Sequence, residues 1–115
     1  MMENTVKHKS FRFAVRIVNL CKYLQKTKQE YVISKQLLRC GTSIGANVAE
    51  AQHAQSRADF VSKLNIALKE ATEADYWLRL LYETSYLNKT QFVSIMSDCD
   101  EIESLLVAIV KSSKD

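Results

Sequence analysis

The sequence predicts an all-α fold, an antiparallel up-down-up-down four-helix bundle, on three observations. The 115 residues include no proline and only two glycines, so few positions interrupt a helix. Apolar residues recur at helical spacing along four stretches of the chain. Polar segments of about 2 to 5 residues separate these stretches, and connections that short place consecutive helices antiparallel.

The first helix is expected from about Lys9 to Lys26, after a flexible leader at residues 1–8. Thr27 and Glu30 have the spacing of a capping box, which predicts that the second helix starts here and extends to about His53. The apolar positions of the two helices are Phe13, Ile17, Leu20, Cys21 and Leu24, then Ile33, Leu37, Ile44, Val48 and Ala51.

Ser56 and Asp59 predict the start of the third helix, which extends to about Thr84. Asn88 and Gln91 predict the start of the fourth, whose apolar residues form a heptad-like seam. The apolar positions are Phe60, Leu64, Ala67, Leu68, Ala71, Leu78 and Leu81 in the third helix and Phe92, Ile95, Cys99, Ile102, Leu106 and Ile109 in the fourth.

The composition is that of one globular domain spanning residues 1–115, with 47% hydrophobic and 25% charged residues. No apolar run approaches the roughly 20 residues that cross a bilayer, so no membrane partner is expected. The cysteines, Cys21, Cys40 and Cys99, are odd in number and widely spaced, which argues against a disulfide framework. A reducing cytoplasm is the expected compartment.

Positive charge is concentrated at the start of the chain, where residues 1–28 hold seven lysines and arginines but one acidic residue. Five basic side chains fall within an arc of about 140° on the first helix, with Tyr23 among them and apolar residues on the opposite side. These basic residues are Lys9, Arg12, Arg16, Lys22 and Lys26. Such a stripe suits binding to phosphates, with a ring available for base stacking. A solvated helix face is the alternative interpretation.

The second helix carries small residues at a spacing of four, Gly41, Gly45 and Ala49, which predicts close approach of another helix. A helix break at the glycines is the competing interpretation. Four polar residues border the apolar arc and are expected to hydrogen-bond to Glu70 or Glu73 of the next helix, with a ligand or RNA contact as the alternative. These four are Gln36, Ser43, Asn47 and Glu50.

The third helix has more apolar surface than one core requires, because Ile66, Trp77 and Leu80 lie outside its main stripe. An exposed apolar patch that includes tryptophan is typical of an interface, so these residues predict self-association. The alternative is that a wide bundle covers both arcs.

Catalytic and metal-binding patterns are sparse. Glu50 and His53 have Glu-x-x-His spacing, but a di-iron bundle needs a second such pair, and His53 is better explained as a residue at a helix end. Cys21 and Cys99 lie on apolar stripes without a neighbouring base. We therefore expect no enzyme activity, no cofactor and no metal site.

Two ordered motifs resemble the family of 23S rRNA intervening-sequence proteins, which are four-helix bundles. Gln36–Arg39 followed by Ser43–Ala51 is similar to a Gln-led segment and then Ser-Ile-x-x-Asn-Ile-Ala-Glu-Gly. Phe60 and residues 63–73 resemble the following helix of that family. The chain departs from the pattern at Val48, in place of Ile, and at Ala51, in place of the final Gly, whose capping role is lost here.

The resemblance implies a small cytoplasmic bacterial bundle whose relatives include homopentameric rings. Some relatives are encoded within 23S rRNA genes, and others resemble the accessory variability determinant of diversity-generating retroelements, which binds nucleic acid and a reverse transcriptase. Gln36, Ser43, Asn47, Glu50 and Glu73 would be the polar signature positions, with architectural roles. The predicted function is therefore that of a non-enzymatic, self-associating bundle that binds RNA or other nucleic acid through the basic face of the first helix. The alternative is an oligomeric adaptor that holds another protein, such as a polymerase or another nucleic-acid enzyme, and has no direct role with nucleic acid.

Overall fold

In a computed structural model that describes residues 2–113, these residues form four helices and no strand. They are α1 (Met2–Lys26), α2 (Ile33–Ala51), α3 (Arg57–Glu83) and α4 (Lys89–Ser113). Each helix packs against two others, in the cyclic order α1, α2, α3, α4, within dimensions of 45 × 21 × 19 Å. The predicted four-helix bundle is confirmed.

All four helices contribute to a single buried core, because each has one apolar face at helical spacing. The predicted apolar stripes supply most of it. The largest fully buried side chains are Val6, Phe13, Ile17, Leu24, Leu37, Ile44, Leu64, Leu78, Leu81, Ile102, Leu106 and Ile109.

The expected start of α1 at about Lys9 was wrong, since the helix begins at Met2. Val6, within the segment expected to be a leader, is buried, so this segment continues the packed face of the helix by almost two turns. The first residue of that leader, Met1, lies outside the described residues.

The predicted capping box at Thr27 was also wrong, because α2 begins at Ile33. Gln29 has a positive φ of 55° and ends the preceding turn, after which the chain runs on to Glu30. The Glu30 carboxylate then accepts hydrogen bonds from the amides of Val32 (3.1 Å), Ile33 (2.8 Å) and Ser34 (2.7 Å). One side chain thereby satisfies three of the amides that a helix start leaves unpaired.

The predicted starts of α3 and α4 are confirmed. The Ser56 hydroxyl accepts from the amide of Asp59 at 3.0 Å. Asn88 and Gln91 form a reciprocal box, in which each side-chain oxygen accepts from the other residue's amide at 2.8 and 2.9 Å.

The glycines of α2 face α1 at close range, as their spacing predicts, and α2 runs through them without a break. A Cβ atom on Gly41 would lie 2.9 Å from two side-chain carbons of Ile17. One on Gly45 would lie 3.3 Å from the carbonyl oxygen of Ser10. The absence of side chains at these two positions therefore sets how closely α1 and α2 approach.

Candidate functional site

The basic stripe of α1 divides into a paired and an unpaired part. Lys9 forms an ion pair with Glu101 at 3.1 Å, and Arg16 forms one with Asp98 at 2.6 Å. Arg16 also donates to the hydroxyl (2.8 Å) and carbonyl (3.2 Å) of Ser94. All three partners lie on α4, so the edge of the stripe nearest that helix is neutralised.

The other three predicted cations, Arg12, Lys22 and Lys26, are exposed and have no ion-pair partner within residues 4–113. Arg12 lines a cleft of about 250 Å³ that also contains Asp98 and Glu101, so it lies within the influence of the α4 acids. The face around Lys22 and Lys26 therefore carries the least compensated positive charge among the predicted residues.

The distribution of acidic residues explains why this face stays positive. Between Asn4 and Ala49 the sequence contains nine lysines and arginines but a single acidic residue, Glu30. Glu30 is only 7% exposed, and its carboxylate is occupied in capping α2. From Asn4 to Ala49, the exposed surfaces of α1 and α2 consequently carry no acidic side chain. The sequence contained this signal, but only the structure shows that the one acid is buried.

Apolar side chains also lie on the charged side of α1, contrary to the expectation that they occupy the opposite side. Phe11 is 68% exposed and Val15 is 46% exposed. Tyr23, expected among the basic residues, is instead half-buried and packs against the core. The exposed ring of this face is therefore Phe11. The sequence contained a signal for it, because Phe11 and Val15 are four residues apart and lie on the same side of the helix as the lysines.

The polar signature positions on α2 make mainly local contacts. Asn47 donates to the carbonyl of Ser43 within its own helix at 2.8 Å, and Glu50 forms an ion pair with Lys63 of α3 at 3.0 Å. Gln36 is exposed. No hydrogen bond or ion pair joins these four side chains to Glu70 or Glu73 in the described part of the chain.

Arg39, which the sequence did not single out as a site residue, forms a further ion-pair contact between α2 and α3. Its guanidinium donates to Glu70 at 3.3 Å and to Glu73, and the Trp77 indole donates to the same Glu73 carboxylate at 3.0 Å. The hydrogen bonds from Arg39 and then Trp77 lower the pKa of Glu73. Glu73 thereby connects the helix contact to the predicted interface residue Trp77.

The three predicted interface residues differ in exposure. Ile66 is 41% exposed, whereas Trp77 and Leu80 are half-buried, and Trp77 packs against the core on one side. Tyr76 meets the Trp77 ring edge-to-face, with centroids 5.0 Å apart. Ile66 also borders a cleft of about 790 Å³ on the outer side of α3, whose walls include Val61 and Ala58.

The side chains that could serve in catalysis, Glu50, His53 and the three cysteines, do not form a joint site. His53 lies in the turn after α2, and Glu50 is paired with Lys63, so the Glu-x-x-His spacing does not form a joint site. Cys21, Cys40 and Cys99 are buried free thiols. Burial raises the pKa of Cys21 to about 11 and that of Cys40 to about 12. These thiols are protonated at neutral pH and lack nucleophilic character.

Asp75, Cys99 and Glu103 bring one potential metal-ligand atom each within 4.8 Å of one another, between α3 and α4. These groups already have partners: Asp75 accepts from Arg79 at 2.6 Å, and the Cys99 thiol contacts the carbonyl of Ala71 and Glu103. Burial, and then the Asp75 carboxylate, raise the pKa of Glu103 to about 7. The cluster is thus a hydrogen-bonded group in which Glu103 holds a proton below neutral pH.

No helix within residues 2–113 combines the length and the apolar character that crossing a membrane requires.

The family model described as 23S rRNA-intervening sequence protein matches residues 2–108 of the chain. A crystal structure at 1.70 Å of a protein of unknown function from the S23 ribosomal protein family of Bacteroides thetaiotaomicron VPI-5482 is also similar. The two chains are 59% identical, the match covers 96% of this chain and 99% of that one, and the TM-score is 0.95. No curated protein matches the chain.

Proposed function

Since the chain belongs to the 23S rRNA-intervening sequence protein family, we propose that it is a non-enzymatic, self-associating bundle that binds RNA through the outer face of α1. The observation that carries the proposal is the stretch from Asn4 to Ala49, in α1 and α2, whose only carboxylate, that of Glu30, is buried. Lysines and arginines on such a surface bind phosphates and release the counterions condensed on them. The proposed compartment is the bacterial cytoplasm, where the three thiols stay reduced.

The contributions of the five predicted cations are expected to differ. Lys22 and Lys26 have no ion-pair partner in the described chain, and Arg12 lies beside acids that it does not pair with directly. Lys9 and Arg16 would have to exchange a carboxylate partner for a phosphate, so each would add little to the free energy of RNA binding. The binding energy is therefore assigned chiefly to Lys22 and Lys26, with Arg12 next.

Anisotropy titration of a fluorescent RNA tests this assignment. Lys22→Glu/Lys26→Glu is expected to abolish measurable affinity, and the log–log dependence of the wild-type affinity on salt should have a clearly negative slope. The matched control is Lys89→Glu/Lys111→Glu on α4, which makes the same change in net charge at exposed lysines. Equal loss of affinity in both variants would show that RNA affinity depends on net charge and not on this face of α1. The proposed site would then be rejected.

Self-association through the outer side of α3 is the second part of the proposal. Ile66, Trp77 and Leu80 supply apolar surface there, and in a closed ring the weak affinities of several α1 faces would combine on one RNA. The pentamer implied by the family resemblance is the proposed state. Ile66→Glu is the preferred variant because Ile66 is exposed, so the change disturbs the core little.

Multi-angle light scattering measures the mass of the assembly in solution and so tests self-association. Wild type is expected at the mass of an oligomer and Ile66→Glu at or near 13.2 kDa, the mass of one chain. Val93→Glu on α4, where the side chain is 54% exposed, is the control and should keep the oligomeric mass. A wild-type protein that is monomeric at all concentrations would reject this part of the proposal.

The adaptor function is the second candidate, and the cleft beside Ile66 favours it. Its walls include Val61 and Ala58, a surface suited to an apolar segment of another protein. Such binding would persist at high salt, whereas RNA binding would not. A pull-down whose captured protein resists both high salt and ribonuclease would favour the adaptor.

A further inference from the structure

The outer face of α1 combines positive charge with exposed apolar side chains. Phe11, at 68% exposure, and Val15, at 46%, lie within about 60° of Lys22 and Lys26 on the helical wheel, which advances 100° per residue. Arg12 follows Phe11 directly in the chain. The helix rises about 1.5 Å per residue, so Lys22 lies roughly 16 Å from Phe11 along the axis.

A phenylalanine whose side chain is two-thirds exposed lacks most of the hydrophobic stabilisation that burial would supply, which favours a partner that covers the ring. That partner is unlike a second copy of this face, since two such faces would oppose Lys22 and Lys26 to the same lysines, which have no ion-pair partner within residues 4–113. It must offer negative charge together with a flat apolar surface. Unpaired nucleic acid bases on a phosphate backbone offer both.

Duplex RNA fits this face less well. Its bases are stacked inside the helix, and its grooves present phosphates and 2′-hydroxyl groups, which leave the Phe11 ring without a contact. An anionic membrane also fits less well. A helix that lies in a membrane interface buries a broad apolar face, whereas the broad apolar face of α1 is buried in the bundle core and two apolar side chains are left outside.

We propose that the outer face of α1 binds a single-stranded segment of RNA, with Phe11 as the side chain on which an unpaired base stacks and Lys22 and Lys26 as phosphate contacts. The proposal rests on the RNA binding proposed above and specifies the form of RNA that is bound. It also assigns to Phe11 a role in binding rather than in packing.

The first test compares a single-stranded 12-nucleotide RNA of mixed sequence with the same strand in a duplex, by anisotropy at low salt. Phe11→Ala is expected to weaken binding of the single strand by about fivefold or more, the range that a stacked base contributes, and to leave duplex binding unchanged. Phe11→Tyr should retain the affinity. Tyr31→Ala, which removes another exposed ring (59%) outside α1, is the control and should bind as wild type does.

The second test detects stacking directly. Phe11→Trp in a Trp77→Phe background leaves one tryptophan, on the proposed site. Its fluorescence should be quenched by the single strand and not by the duplex. Unchanged fluorescence with single-stranded RNA bound would overturn the role of Phe11.

The outcomes separate this inference from the proposed function. If Phe11→Ala binds the single strand as wild type does while Lys22→Glu/Lys26→Glu does not bind, RNA binding stands and stacking is rejected. If wild type binds neither RNA, both proposals fail. Binding of wild type, but not Phe11→Ala, to phosphatidylserine vesicles in the absence of any RNA affinity would instead assign the face to a membrane.

Discussion

Gly41 of α2 lies so close to Ile17 of α1 that a methyl group on Gly41 would be 2.9 Å from both Cγ atoms of Ile17. Ile17 is fully buried and branched at Cβ, so its side chain has no free rotamer to move into. The two helices therefore pack at a separation that only glycine permits at position 41.

Gly41→Ala is expected to destabilise the bundle despite the better helix propensity of alanine. Overpacking a close-packed core costs about 1–3 kcal/mol, and replacing a mid-helix glycine recovers about 1 kcal/mol. A net loss of about 1 kcal/mol in the free energy of unfolding should appear in urea titration. In an Ile17→Ala background the same substitution should cost less. Equal costs in both backgrounds would show that Ile17 is not the obstacle.

Glu30→Ala is expected to lower the free energy of unfolding by about 2 kcal/mol, because it removes charge-assisted bonds to the amides at the start of α2. Glu30→Gln keeps an acceptor oxygen and should lose less. Burial opposes the charged form of Glu30, but the bonds from Ile33, Ser34 and Val32 outweigh it and lower the pKa of the carboxyl below its usual 4.5.

The lowered pKa of Glu30 also predicts a pH dependence. Its contribution is complete above pH 4.5, the ordinary pKa of the group, and is lost as the pH falls through the lower pKa of the folded state. Wild type should therefore lose more stability on acidification than Glu30→Gln does. Acid titrations of both proteins, followed by circular dichroism, test this. An equal loss of stability in wild type and Glu30→Gln would contradict the prediction.

Glu103 predicts the opposite pH dependence. Its pKa is raised from 4.5 to about 7, so the folded state binds a proton more tightly than the unfolded state, and stability falls as the pH rises through this interval. Glu103→Gln removes the charge next to Asp75 and should stabilise the protein above pH 7. We expect about 1 kcal/mol, since solvent screens a half-buried carboxylate.

Thermal melts at about pH 5 and pH 8 test this prediction. Wild type and Glu103→Gln should have the same melting temperature at about pH 5, where Glu103 is protonated in the folded state. At about pH 8, Glu103→Gln should have the higher melting temperature. Glu101→Gln, an exposed carboxylate two residues away, is the comparison and should show no such gain. A Glu103→Gln protein that is destabilised at the upper pH would reject the proton-sharing arrangement.

The three cysteines are expected to be unreactive in the native protein. Cys21, Cys40 and Cys99 are buried, and burial raises the pKa of each thiol. Little reaction with a disulfide reagent such as DTNB should occur near neutral pH, whereas three thiols per chain should react in guanidinium chloride. Fast reaction of a thiol in the native protein would indicate local opening of the helix that carries it.

Much of the fold follows from local patterns. The apolar stripes predicted the four helices, and Ser56 with Asp59 and Asn88 with Gln91 predicted the starts of α3 and α4, because a capping box is formed by residues three apart. The same logic failed at Thr27. There the chain turns through Gln29 before Glu30 caps α2, and this turn has no signature in the residues. The start of α1 was missed because Val6 alone marks its first turns as packed.

The candidate site was predicted less completely, since the contacts that decide it join distant residues. The sequence by itself determined that α1 carries five cations on one arc and that Gly41 and Gly45 face a neighbouring helix. Only the tertiary structure decided which cations stay unpaired, because Lys9 and Arg16 meet acids of α4 more than 80 residues away along the chain. It also left Phe11 in solvent and buried Glu30. A helical wheel gives the direction of a side chain, but its charge partner and its exposure depend on the helix that packs beside it.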